Sequence, residues 1–335
     1  MRVPSISILL PVKNAASFLH ACLDSIINQT ESNWELIAIN DHSSDHSAEI
    51  LDAYAKTDHR IFTDQNKGQG IIPALQYAYQ KSTGAFITRM DADDVMKPSK
   101  LASLKNDLLE QGPGHLSTGL VEYISEGQLG AGYLRYQQWL NQLSREGSNY
   151  QEIYKECVIP SPCWMVYRED FQKCGAFDSD RYPEDYDLCF RFFAAGLQCI
   201  PTRNVLHEWR DHPDRASRND PNYLDHRFLN LKVFWFLKLH HVASRPLVLW
   251  GAGKKGKEIA RLLIQNDIHF NWICNNEKKI GSNIFDIRMH PIEHIDQLNE
   301  PQLIIAVAGP KDQLGILSML DKRQKKPMQD YYLFC

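Results

Sequence analysis

The strongest constraint on the fold is an alternation, over residues 6–90, of short β-branched runs with amphipathic segments, each run closing on a polar residue. Ile6–Val12 is apolar and β-branched, is halted by Pro11 and Asn14, and reads as a buried strand. Residues 15–29 then carry apolar side chains at 18, 19, 22, 23, 26 and 27, which is helical spacing. Trp34–Asn40 is a second strand running into Asp41, and Ser44 or Asp45 is placed to cap a helix reaching about residue 55. A short strand at 61–63, a helix at 71–82 broken by Gly84, and a strand at 85–90 running into Asp91 complete the series. Strand alternating with helix predicts a parallel α/β sheet. Ligands of such sheets gather at the carboxyl ends of the strands. Asn14, Asp41, residues 64–68 and residues 91–94 are therefore expected to meet in one crevice. Asp and Asn are also ordinary turn residues, so the set carries the inference and no single position does.

Beyond residue 98 the spacing predicts a helix to 112, sheet over 116–124, a helix over 133–156 rich in Tyr, Gln and Glu, and a helix over 223–241. After Arg245 and Pro246 the pattern restarts: Leu247–Trp250 as a strand, the loop GAGKKG, a helix at 257–265, strands at 270–274 and 303–307, and a helix at 313–321. This predicts a larger domain over 1–218, a helical linker over 219–244 and a smaller Rossmann-like α/β domain over 245–335.

Composition sets outer limits. A formal net charge of -4 argues against a broad nucleic-acid surface. Eight cysteines without any C-x-x-C spacing signal neither a zinc ribbon nor a redox pair, and buried thiols in a reducing, cytoplasmic setting are expected. Residues 1–14 lack a signal-peptide pattern, and no run approaches the roughly 20 apolar residues that span a bilayer.

Two acidic motifs carry chemistry. In Met90-Asp91-Ala92-Asp93-Asp94 an extended backbone would turn Asp91 and Asp93 to one side. Paired hard oxygen donors suit Mg²⁺ or Mn²⁺ shared with phosphates. In Tyr182-Pro183-Glu184-Asp185-Tyr186-Asp187 a carboxylate near a helix start stays ionised and can accept a proton, although acidic residues there also serve simply as caps.

FITRMDADDVMKP, PVKN near the start, INDHSSD, NKGQGIIPALQYA and YPEDYDLCFRFFAAG together resemble the family 2 glycosyltransferases, which have the GT-A fold. The resemblance runs over residues 6–217 in motif order and spacing. It implies an inverting transfer of sugar from a UDP- or dTDP-type donor to a hydroxyl acceptor, in cell-surface polysaccharide or glycolipid synthesis, with a saccharide or lipid-linked saccharide as acceptor. By position it implies nucleotide and donor contacts from Pro11, Val12, Asn14, Asp41, Lys67, Gly68, Arg89, Asp91 and Ala92. Asp93, Asp91 and His212 are implied for the metal, and Asp185 for the general base, with Glu184 beside it. His42 and Asn40 depart from the family pattern beside Asp41 and leave UDP and dTDP equally open. Tyr136, Trp139, Tyr150, Tyr154 and Trp164 are candidates to stack on acceptor sugars or, for about half of them, to fill the core.

In the smaller domain, Gly251, Gly253 and Gly256 follow a strand and open a helix, the form of a dinucleotide-binding loop. The acid expected on the ribose is replaced by Cys274-Asn275-Asn276, so a regulatory or ligand-free role stands beside cofactor binding. The helix at 223–241 could pack between domains or lie on a membrane, with Arg227, Lys232 and Lys238 toward headgroups. The alternative for the whole chain is a nucleotide-binding regulatory or scaffold protein with a degenerate transferase domain.

Overall fold

The computed structural model describes residues 5–125, 127–213, 215, 218 and 225–335. The chain divides into two compact units: residues 1–150 with 158–219, and residues 151–157 with 220–335. The helix of the expected linker belongs to the second unit, as does the excursion 151–157.

Unit 1 opens with β1 (Ile6–Val12), α1 (Ala16–Ile27), β2 (Trp34–Asn40), α2 (Ser47–Thr57), β3 (Ile61–Gln65), α3 (Ile71–Lys81) and β4 (Phe86–Arg89). β5 (Val95–Met96), α4 (Lys100–Gln111), β6 (His115–Thr118), β7 (Leu120–Ile124) and α5 (Ala131–Glu146) follow. β8 (Trp164–Tyr167), α6 (Arg168–Lys173), α7 (Glu184–Ala194), β9 (Gln198–Cys199) and β10 (Val205–Arg210) complete it. The main sheet has the order β3-β2-β1-β4-β8-β6-β9. β1 through β4 are mutually parallel, and β8 runs antiparallel between β4 and β6. The interior strand β1, between β2 and β4, is buried on both faces, which is why ISILLPV reads as a continuous apolar run rather than an alternating one. A second sheet, β5-β10-β7, brings β10 alongside the turn that follows β4.

The sheet expected over 116–124 is two strands in two sheets, parted at Gly119. A Cβ there would lie 2.6 Å from the Leu206 side chain, so β10 crosses too close for any larger residue. The helix expected to reach 156 stops at Glu146, where Gly147 takes a left-handed φ of 66°. Of the aromatic candidates, Trp164 and Tyr154 are core residues, 2% and 1% exposed, and neither can offer a face to a sugar.

Unit 2 contains α8 (Asp225–Leu239), β11 (Leu247–Trp250), α9 (Lys254–Gln265), β12 (Asn271–Ile273), β13 (Asn283–Ile284), β14 (Ile287–His290), β15 (Gln302–Ile305), α10 (Pro310–Lys322) and β16 (Tyr331–Leu333). Its sheet, β13-β14-β12-β11-β15-β16, is parallel except for β13. α8 packs on α9, and Leu231, Val233, Trp235 and Phe236 on it are buried. That face is closed to lipid, and Lys232, expected at headgroups, is itself buried with Nζ 2.8 Å from the Lys155 carbonyl. The side chain of Arg227 lies outside the described residues. Among the described residues no helix is long and apolar enough to cross a membrane.

Candidate active site

The crevice lies where β1, β2 and β4 end, and each strand delivers a polar residue to it. After β4 the backbone does not stay extended: the Asp94 amide donates to the Asp91 carbonyl at 3.3 Å and closes a turn. The alternation expected to turn Asp91 and Asp93 to one side therefore does not apply, and the three aspartates have three separate partners. Asp91 Oδ1 accepts from Arg89 Nε at 2.9 Å. Asp93 Oδ2 lies 2.9 Å from His212 Nε2. Asp94, 1% exposed, accepts the Arg210 amide at 2.8 Å on one oxygen and lies 2.9 Å from His207 Nε2 on the other.

β10 and the residues after it hold this turn in place. Arg210 Nε donates to the Asp93 carbonyl at 2.8 Å, and Phe18 of α1 packs on the His212 ring with centroids 4.5 Å apart. Behind the turn, Lys100 Nζ reaches His207 Nδ1 at 3.1 Å and the Pro162 carbonyl at 2.5 Å. Lys100 and His207 are both fully buried. Burial and then the charge of Asp91 raise the Asp94 pKa to about 8, while burial and then Lys100 push His207 well below its ordinary value. Each shift disfavours charge in an apolar surround. Burial, followed by the charge of Asp94, also raises the Asp93 carboxyl, against the opposing hydrogen bond from His212.

On the opposite wall, α7 begins at Glu184 and carries three acids in its first turn, Glu184, Asp185 and Asp187. They diverge. Asp187 pairs with Arg191 at 2.9 Å. Glu184, 3% exposed, points inward and accepts from Arg89 Nη1 at 3.0 Å. Arg89 thus ties Glu184 to Asp91 and fixes the start of α7 to the end of β4. Asp185 is half-buried, and burial followed by the charge of Glu184 raises its pKa to about 7, with Arg89 opposing.

At the β2 end, Asp41 is 3% exposed and spends both oxygens on internal donors. Oδ1 accepts from Asn66 Nδ2 at 2.6 Å and the Gly70 amide at 2.9 Å, and Oδ2 from Lys13 Nζ at 3.2 Å. Burial is the largest influence on this carboxyl, yet these hydrogen bonds together hold its pKa below the ordinary value. Asn14, at a left-handed φ of 50°, accepts the Ser44 amide at 2.8 Å and locks the first loop onto the second. His42, also left-handed at 55°, reaches the Gly68 carbonyl at 2.9 Å. Gly68 is needed there, since a Cβ would lie 2.7 Å from Pro73. Lys67 is exposed, with Nζ 3.6 Å from Asp64. Gly70 borders the Tyr182 hydroxyl, 3.5 Å from where its Cβ would stand, so the ring closes back to the α7 wall. Pro11, Val12 and Ala92 are backbone neighbours of this crevice; Val12 and Ala92 are buried. His207, Lys100 and Arg210 went unrecognised in the sequence, because a lone polar residue in a strand or at a helix start has no periodic signature.

The metal implied by the resemblance can be tested on these donors. Among the described residues no three His, Cys, Asp or Glu side chains are grouped to hold an ion. Asp93 and His212 pair a hard carboxylate with an imidazole 2.9 Å apart, and His212 Nδ1 is buried with no hydrogen-bond partner among the described residues. Two protein donors fit a cation that takes its other ligands from phosphate and water.

In unit 2, Gly251 has φ 121°, and a Cβ on Gly256 would stand 2.1 Å from the Gly251 carbonyl oxygen. These two glycines let the loop press on its own helix. Gly253, by contrast, has nothing within 4 Å of a Cβ. Asn275, at the place of the ribose acid, accepts from Trp250 Nε1 at 2.8 Å. Lys279 Nζ lies 2.7 Å from the Ala252 carbonyl, on the loop itself.

A parallel sheet with acidic strand ends and a second, three-stranded sheet beside them defines the class: a glycosyltransferase of GT-A fold. The solved structures similar to it include S. aureus TarS 1-349 in complex with UDP-GlcNAc (TM-score 0.54, 13% identity, 77% of this chain and 71% of that one). Another is the mannosyltransferase PcManGT from Pyrobaculum calidifontis in complex with GDP-Man and Mn²⁺ (TM-score 0.53, 17% identity, 78% and 69%). The chain belongs to glycosyl transferase family 2, whose model matches residues 7–175. Among its relatives, glycosyltransferase GlyA of Streptococcus pneumoniae serotype 4 is 33% identical over 221 residues, 64% of this chain and 31% of GlyA. The teichuronic acid biosynthesis glycosyltransferase TuaG of Bacillus subtilis, so named as putative, is 29% identical over 169 residues, 50% of this chain and 63% of TuaG. The match spans about a third of GlyA.

Proposed function

We propose that this chain is an inverting transferase that moves a sugar from a UDP- or dTDP-type donor to a hydroxyl of a saccharide or lipid-linked saccharide, in the cytoplasm, during cell-surface polysaccharide synthesis. The observation that carries this reading is Asp185. It stands in the first turn of α7 with its pKa raised to about 7, while its neighbour Glu184 is fixed by Arg89 to the turn that bears Asp93. A general base is most useful when its pKa lies near the working pH.

The acceptor oxygen attacks the anomeric carbon, its proton passes to the Asp185 carboxylate, and the bond from that carbon to the diphosphate breaks with both electrons leaving on oxygen. Asp93 and His212 would hold Mg²⁺ or Mn²⁺, which supplies neutralisation of the diphosphate charge. Arg89 positions Asp91 and Glu184, and the loops pinned by Asp41 and Asn14 shape the nucleoside end, with Lys67 and Gly68 at its rim. The name of TuaG, a teichuronic acid biosynthesis glycosyltransferase, supports a polysaccharide setting, and the UDP-GlcNAc of the TarS complex supports a uridine donor. Screening nucleotide sugars for protection against thermal unfolding tests the donor. Stabilisation by UDP- or dTDP-sugars with Mn²⁺, lost in Asp93→Ala, is expected; protection by none of them would overturn the reading.

A further inference from the structure

Asn40 ends β2, Gln65 ends β3, and the two are partners in the parallel ladder, so the register of the sheet sets them side by side. From this pair a chain of hydrogen bonds runs in both directions. The Ser43 amide donates to Asn40 Oδ1 at 3.2 Å, and Asn40 Nδ2 donates to Gln65 Oε1 at 3.0 Å. Gln65 Nε2 then donates to His42 Nδ1 at 2.8 Å, and His42 Nε2 donates to the Gly68 carbonyl at 2.9 Å. One end of the chain is a backbone N–H, which only donates, and the other a backbone carbonyl, which only accepts. The direction of every bond between them is therefore fixed. His42 carries its hydrogen on Nε2, and both ring nitrogens are engaged.

His42 is exposed and stands at a φ of 55°, a backbone conformation that suits glycine better. Its two bonds hold it there and turn an exposed imidazole into a strut between the loop after β2 and the loop after β3. Asn66 and Gly70, at the two ends of the second of these loops, are tied to Asp41 at 2.6 and 2.9 Å. Gly68 lies at its tip, and His42 reaches it from the position next to Asp41. We propose that His42 is a positioning residue of the donor site. Through Gln65 and Asn40 on one side and Gly68 on the other, it holds the two loops at one spacing, and that spacing sets the affinity for a pyrimidine nucleoside diphosphate. The proposal rests on the donor reading given above and adds to it a residue that acts through Gly68.

Calorimetry of the full chain with UDP and with dTDP, each with Mn²⁺, tests this on three variants whose melting curves are taken alongside. His42→Ala should weaken binding about threefold to tenfold, the loss expected of one or two hydrogen bonds. His42→Gln can accept from Gln65 and donate to Gly68, and should restore binding to within about twofold. His42→Phe keeps a flat ring without either bond and should bind as weakly as His42→Ala. In the unaltered chain, ring ¹⁵N shifts, assigned by the resonance lost in His42→Gln, should show the hydrogen on Nε2. Binding by His42→Ala within about twofold of the unaltered chain, no recovery in His42→Gln, full binding by His42→Phe, or a hydrogen on Nδ1 would each overturn the proposal while leaving the transferase reading intact. Failure of the unaltered chain to bind either nucleotide would overturn both.

Discussion

At the scale of single residues, three aspartates in one turn do different work because each meets a different partner. Asp91 meets a guanidinium, Asp93 an imidazole and Asp94 a buried histidine. Replacing Asp185 by Asn should leave donor affinity intact and lower turnover by about 10²–10⁴, read from initial rates beside calorimetry. The raised pKa also sets a pH profile. Only the ionised carboxylate accepts a proton, so kcat should fall as pH drops below about 7. The sign for stability is opposite. The native state keeps this proton to a higher pH than the unfolded chain, so between its unfolded and native pKa values this group makes folding less favourable as pH rises. A rate profile flat from pH 5 to pH 8 would exclude Asp185 as the base.

At the scale of elements, β10 acts as a clamp on the end of β4. His207→Leu leaves the buried Asp94 carboxyl, kept neutral by its raised pKa, without its imidazole partner and should cost about 1–3 kcal/mol in urea unfolding. A cost under about 1 kcal/mol would mean the network is slack. In unit 2, Gly256→Ala sets a methyl against the Gly251 carbonyl and should cost about 1–3 kcal/mol. The strands β1, β2 and β4 were legible because they are apolar runs closed by a polar residue, and the crevice followed from their ends. β5 was not, since Val95–Met96 is shorter than any period. Nothing in the sequence around Lys100 marks it as buried; the Pro162 carbonyl and His207 of β10, both distant in sequence, meet its ammonium. The reach of Glu184 toward Arg89 was equally hidden, because adjacent acids at a helix start differ only in the direction the backbone gives them.

At the scale of the molecule, the bound donor should stabilise unit 1 by about 2.7 kcal/mol at a hundredfold excess over its Kd. Differential scanning calorimetry with UDP and Mn²⁺ reads this as a shifted transition, absent in Asp93→Ala. The heptapeptide 151–157 gives the sequence a property no boundary drawn at a single peptide bond can respect. Its Tyr154 stacks on Phe334 with ring centroids 5.1 Å apart, although more than half of the chain's length separates the two in sequence. Severing the protein after Asn219 would strand that ring, and Ile153 beside it, on a fragment with no aromatic bed to receive them. Such a fragment should clump in light scattering where the intact polypeptide stays dispersed, and the gene for either half cannot be borrowed without leaving a piece of the other behind.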